Sequence, residues 1–150
     1  MRNLFVLIAL VAAAVALPAF AQEQKVPLVD ASSKGIAIKG YDTVAYFEQS
    51  QAVKGSPKYV YTWNGAKWLF ATAAHRDAFA KDPTRYAPQY GGYCTFGMSQ
   101  GHAVPVDPEA WKIVDGKLYL NYNKDIQKEW FKDIPGHIHE ANENWPKLHQ

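Results

Sequence analysis

An α+β domain is what this sequence predicts: two β-hairpins forming a small antiparallel sheet, interleaved with short helices and closed by a helical C-terminal tail. Three observations carry the prediction. Asn64-Gly65 separates the strand-prone runs 59–63 and 66–70. Asp115-Gly116 separates 111–114 from 117–122 in the same way. Both dipeptides tolerate the positive backbone angles that a two-residue hairpin turn requires. Finally, each hairpin is followed by a capped segment of helical period, and antiparallel hairpins interleaved with short helices make an α+β domain.

The chain opens with Met1-Arg2, an apolar run over residues 4–17, then Pro18 and Ala19-Phe20-Ala21. That layout is a secretory signal peptide, too short and wrongly flanked for a spanning helix. Cleavage is expected after Ala21, giving an exported, periplasmic or secreted chain with no transmembrane segment in its mature part. About 130 residues remain, enough for one domain with a single core. Residues 22–35 read as an extended leader and 36–150 as the domain with its C-terminal helices. The net charge is +2, near neutral once Arg2 leaves. Charges of both signs are scattered, which excludes nucleic acid as an expected partner. A partner protein is left unspecified.

Within the domain, residues 36–39 read as a short strand that ends at Gly40, and Asp42 as the cap of a helical turn carrying Val44 to Phe47. Tyr41 and Asp42 are by default a turn with a local hydrogen bond. Thr72 caps a helix over 73–81, which Asp82-Pro83 terminates. His75 and Phe79 share a face of it. A further helical turn over 82–86 ends before Pro88. In the second hairpin, Leu118 and Leu120 face one side and Tyr119 the other, which suits a sheet covered on one face. Asn123 caps a helix over 124–132 with Ile126, Trp130 and Phe131 inward. Pro135-Gly136 breaks it, and 137–145 reads as a last helix. No internal repeat or low-complexity segment appears.

The chemistry concentrates in residues 90–102, YGGYCTFGMSQGH, which hold the only cysteine, one of two methionines and a histidine. An exported chain with one cysteine makes no internal disulfide, so Cys94 is a free thiol, a metal ligand or half of an intermolecular bridge. Cys94 and Met98 share a face on a helix and on a strand alike. His102 would lie about 12 Å from Cys94 along a helix and about 26 Å along a strand. Unless the chain bends at Gly97 or Gly101, the second ligand is therefore Met98 or His75. Thiolate, thioether and imidazole together suit a soft ion such as Cu(I) better than zinc. The default for a lone cysteine among aromatics is a small buried hydrophobe. Two further readings stay open. One is a metal-free binding or interaction module in which Tyr41, Trp63, Trp68 and Trp111 shape an aromatic pocket or surface. The other is a thiol-dependent enzyme, which needs a base within reach of the sulfur. His137, His139 and His149 read as solvated surface histidines.

Residues 59–86, with WNGAKWLF leading into AHRDAF and then DPTRY, resemble the YHS domain. The likeness extends to Gly40-Tyr41-Asp42, to 90–94 (YGGYC), to 107–111 (DPEAW) and to 118–123 (LYLNYN), and so covers most of the mature chain. It is similar to the exported, single-domain bacterial members. The resemblance implies metal binding by ancestry. Metal-binding relatives carry a cysteine pair where the second hairpin strand meets the helix, positions held here by Ala71 and His75. One of those ligands is lost and the other is a histidine, with Cys94 arriving from the following segment.

The sequence therefore leads to an exported YHS-type module that binds a copper-like soft ion. Cys94 is the principal ligand, with His75, Met98 or His102 assisting.

Overall fold

The structure is a computed structural model that describes residues 25–149. The expected signal peptide and its cleavage point after Ala21 lie outside the described residues. Among those residues the chain forms α1 (Thr43–Glu48), β1 (Ser56–Trp63), β2 (Ala66–Phe70), α2 (Ala73–Lys81) and α3 (Pro83–Tyr86). It continues through α4 (Thr95–Ser99), β3 (Asp107–Val114), β4 (Lys117–Asn121), α5 (Lys124–Phe131) and α6 (Ile134–His149). The α+β class holds. Each hairpin stands as its own two-stranded antiparallel sheet. No described helix is long and apolar enough to cross a membrane.

Both hairpin turns have the chemistry their residues allow. Asn64 and Gly65 take φ of 48° and 75°, and Asp115 and Gly116 take 50° and 72°. These left-handed pairs match the twist of the strands they join. Val60 pairs with Leu69 and Trp63 with Ala66, after a bulge that leaves Ser56 opposite Phe70. The second hairpin repeats this register: Trp111 pairs with Leu120, Val114 with Lys117, and a bulge leaves Asp107 opposite Asn121.

The agreement goes well beyond the hairpins and reveals an internal repeat, where the sequence predicts none. Each half begins with a left-handed turn, at Ala37–Gly40 and Gln89–Gly92. Ile38 and Lys39 take φ of 48° and 51°, and Tyr90 and Gly91 take 56° and 62°. Each turn closes with a tyrosine amide on the residue three before it, Tyr41 to Ile38 and Tyr93 to Tyr90, both at 3.0 Å. Gly-Tyr-Asp-Thr (40–43) and Gly-Tyr-Cys-Thr (92–95) follow, and Asp42 and Cys94 cap the short helices α1 and α4. The chain then doubles back, so that Asp42 N donates to Val53 O at 2.8 Å and Cys94 N to Val104 O at 3.0 Å. Hairpin and capped helix complete each unit, with Thr72 and Asn123 as the caps. Trp68 stacks on Phe79 at 5.0 Å in the first half, and Tyr119 lies tilted over Trp130 at 5.6 Å in the second. Gly-Tyr-x-Thr, the hairpin-turn glycines and scattered single positions such as Val53/Val104 and Leu69/Leu120 survive as shared letters, which is why the repeat is faint in the sequence.

The first core cluster gathers Val44, Tyr46, Trp68, Phe70, Phe79, Cys94, Leu118 and Leu120. Phe79 has Tyr61, Trp63, Trp68 and Phe70 around it at ring distances of 5.0–6.0 Å. A second cluster forms where α6 covers the other side of the second repeat, joining Tyr90, Tyr93, Met98, Tyr119 and Trp130.

Several local expectations give way to this packing. Residues 37–40 are a left-handed turn, and the expected strand shrinks to a single bridge from Ile36 to Lys67. The second hairpin is covered on both faces: Leu118 and Leu120 face one cluster and Tyr119 the other, all buried. On α5, Gln127 is buried and Phe131 is 46% exposed. Gln127 is held by Nε2 donating to Trp111 O at 2.8 Å, whereas Phe131 packs beneath the Lys112 ammonium. The break before the last helix falls at Lys132-Asp133, and Pro135-Gly136 sits inside the first turn of α6, where a proline lacks no needed donor. The leader is tied down, with Asp30 N on Gly91 O and Val26 N on Leu148 O.

Candidate functional site

The repeat creates two equivalent positions in which one side chain ties the start of a short helix to the end of a hairpin. In the first half this is Asp42, fully buried. Its Oδ1 accepts the amides of Val44 at 2.9 Å and Ala45 at 3.2 Å. Its Oδ2 accepts Ala71 N at 2.9 Å and meets His75 Nδ1 at 2.6 Å. A carboxylate buried without such partners would be costly, and here four donors replace water. Ala71 and His75, the positions to which the resemblance points, thus both converge on Asp42. The turn reading of Asp42 from the sequence captures the helix cap and misses the two long-range partners.

In the second half the equivalent side chain is Cys94, also fully buried. Its sulfur accepts the amide of Gly97 at 3.4 Å, in the first turn of α4, and that of Tyr122 at 3.2 Å, just past β4. Tyr122 is the counterpart of Ala71. The thiol donates to Asn121 Oδ1 at 3.6 Å, and the same oxygen accepts Phe96 N at 3.2 Å. Burial pushes the Cys94 thiol up from its ordinary pKa, and the amides of Gly97, Tyr122 and Phe96 pull against that rise. Asn121 is a residue that sequence reasoning missed. Its Nδ2 and the neighbouring Thr95 Oγ1 are both buried without a partner among the described residues, so the polar set around the sulfur is incomplete.

Cys94 opens onto an apolar groove of about 330 Å³, lined by Phe96, Gly97, Gln100, His102, Val104, Tyr122 and Ile126. His102 reaches the same groove as Cys94 because α4 lasts only to Ser99 and Gly101 turns the chain back at φ 82°. His102 N then donates to Gly97 O at 2.9 Å. The bend at Gly101 is the one on which the sequence reading made a Cys94–His102 pairing conditional. Gly97 permits the fold-back: a Cβ there would come within 2.8 Å of Val104 Cγ2 and 3.2 Å of His102 O.

The other expected ligands lie elsewhere. Met98 is fully buried in the second cluster, and Asn144 holds its carbonyl at 3.0 Å. Cys94 belongs to the first cluster. As a helix cap, Cys94 turns its side chain toward Gly97 N, so the four-residue spacing does not bring the two sulfurs together. His75 sits on α2, which packs against the first hairpin, α1 and α3, while α4 packs against α5, α6 and β4. Among the described residues, no three His, Cys, Asp or Glu side chains converge as a metal-ligand set.

The aromatic candidates also divide. Trp63 and Trp68 line a second cleft of about 320 Å³, facing Tyr90 and Trp145. Trp111 packs edge-on to Tyr46 at 5.2 Å, and Tyr41 pairs with Lys54; neither lines that cleft. Comparison with protein-family models, curated proteins and solved structures found no match for this chain.

Proposed function

We propose that this chain is an exported, YHS-type module that binds one soft metal ion, Cu(I), between the Cys94 sulfur and the His102 imidazole. The observation that carries the reading is the fold-back at Gly101, which puts both residues on one apolar groove. Thiolate and imidazole are soft and intermediate donors suited to Cu(I), which accepts low coordination numbers, whereas a structural zinc site asks for four ligands. Two backbone amides aimed at the sulfur offset part of the rise that burial gives the Cys94 pKa. Cys94 gives up its proton on binding, so uptake weakens as pH falls.

The test is metal analysis of protein purified without a histidine tag, beside Cys94→Ala. One copper per chain in the wild type and none in the variant supports the reading. Equal uptake by both proteins removes Cys94 from it.

A second reading is favoured by the cleft between Trp63, Trp68, Tyr90 and Trp145, which lies apart from Cys94. Aromatic walls of this kind hold a planar apolar ligand without any metal. Quenching of tryptophan fluorescence by such a ligand, unchanged in Cys94→Ala, would separate this reading from the first. Thiol-dependent catalysis is the least supported, because burial holds the Cys94 proton on and none of the sulfur's hydrogen-bond partners is a histidine.

A further inference from the structure

We propose that a pocket of about 560 Å³, between the leader, the first hairpin turn and the segment after α4, binds a small organic ammonium ion through the Asp30 carboxylate and the Tyr93 hydroxyl. It shares no lining residue with the groove over Cys94, and it does not rest on the reading of Cys94 as a metal ligand. The leader forms one wall because Gly91 lets it approach. A Cβ at Gly91 would come within 2.1 Å of Leu28 O, and Asp30 N donates to Gly91 O at 2.9 Å. That bond fixes the backbone of Asp30 close to Tyr93, two residues past Gly91. Ser32 engages one carboxylate oxygen only: its Oγ and N donate to Asp30 Oδ1 at 2.7 Å and 3.3 Å. Asp30 Oδ2 has no hydrogen-bond partner among the described residues.

Tyr93 is the second, independent observation. It lines the same pocket and is 8% exposed, and its hydroxyl has no hydrogen-bond partner among the described residues. Burial, and after it the charge of Asp30, hold the hydroxyl proton on, so the phenol enters the site neutral and within range of the carboxylate. The walls select the chemistry of the occupant. Pro27, Val29, Ala31, Ala103 and Pro105 present apolar surface, and no lysine, arginine or histidine lines the pocket. A carboxylate without a cation, set in an apolar pocket, suits a cation that carries a hydrocarbon body. An ammonium between the two oxygens donates to Asp30 Oδ2 and Tyr93 Oη, and its hydrocarbon part covers the apolar walls. A hydrated inorganic cation leaves those walls wet, and an anionic ligand is repelled by Asp30.

Cyclohexylamine, a saturated ring bearing one ammonium at neutral pH, is the probe, titrated calorimetrically into metal-free protein. Saturable binding at least about tenfold tighter than that of cyclohexanol is the expected result. Asp30→Asn keeps the side chain's shape and an oxygen for Ser32, and should weaken amine binding by about tenfold or more. Tyr93→Phe should weaken it by about threefold. No saturable binding of cyclohexylamine at millimolar concentration overturns the proposal, as does cyclohexanol binding equally well or undiminished amine binding in Asp30→Asn. The amine–alcohol comparison uses the wild type alone, so it decides the matter even where a variant fails to fold. Calcium chloride that displaces the amine at matched ionic strength would show a site for an inorganic cation and also overturn the proposal.

Discussion

Asp42→Ala removes one carboxylate and strands four donors: the amides of Val44, Ala45 and Ala71, and the imidazole of His75. Loss of a helix cap alone costs about 1 kcal/mol. Each buried donor left unpaired adds about 1–3 kcal/mol, reduced where water enters or the backbone relaxes. Members of one network do not sum, so the net expectation is about 3–5 kcal/mol, the range seen when one side of a buried pair is removed. That is a large part of the stability of about 5–15 kcal/mol usual for a domain. His75→Ala leaves three amides on the carboxylate and should cost about 1–2 kcal/mol. Urea unfolding at neutral pH reads both values, with the denaturant slope unchanged if the variants stay two-state. A cost below about 1 kcal/mol for Asp42→Ala, or a larger cost for His75→Ala than for Asp42→Ala, would refute the placement of Asp42 as the hub of the first repeat.

Three other outcomes follow from the packing. Native Cys94, buried and with a raised pKa, should react slowly with iodoacetamide at pH 7.5 and become fast on adding urea; equal rates in both states would show that the thiol is open. Cys94, Tyr46, Tyr90, Tyr93 and Tyr119 all have folded pKa values raised chiefly by burial. The unfolded chain therefore loses these protons first, and stability should be level up to about pH 8.5 and fall beyond it, more steeply above about pH 10. A stability that stays flat to pH 11 contradicts their burial. Gly97→Ala should cost about 1–3 kcal/mol and reduce copper uptake, because the new methyl presses on Val104 and the His102 carbonyl; a thermal melt and a copper titration check the two parts separately.

The hairpins, the caps Asp42, Thr72 and Asn123, and the helix 73–81 were legible in the sequence because each depends on a few adjacent residues whose preferences agree. The left-handed turns were not. Ile38 and Tyr90 adopt positive φ against their own preference, and only the surrounding packing holds a β-branched or aromatic residue there. Straight-element arithmetic separated Cys94 from His102 because it contained no fold-back, although Gly101 was the visible hinge. The same arithmetic paired Cys94 with Met98, treating Cys94 as a residue on a helix face when it is the helix cap. The Asp42–His75 contact joins residues 33 apart in the sequence and leaves no local trace. What the sequence did hold was Gly-Tyr-Asp-Thr and Gly-Tyr-Cys-Thr, each followed by a hairpin, a faint sign of the repeat that relates Asp42 to Cys94.

Which side chains share the ion is the central question for this protein. A Cu(I) titration against a competing chelator, run on wild type, Cys94→Ala, His102→Ala, Met98→Leu and His75→Ala, tests this directly. Loss of binding in Cys94→Ala and weakened binding in His102→Ala, with Met98→Leu and His75→Ala like the wild type, is the predicted result. Undiminished affinity in His102→Ala together with a loss in Met98→Leu or His75→Ala would contradict it.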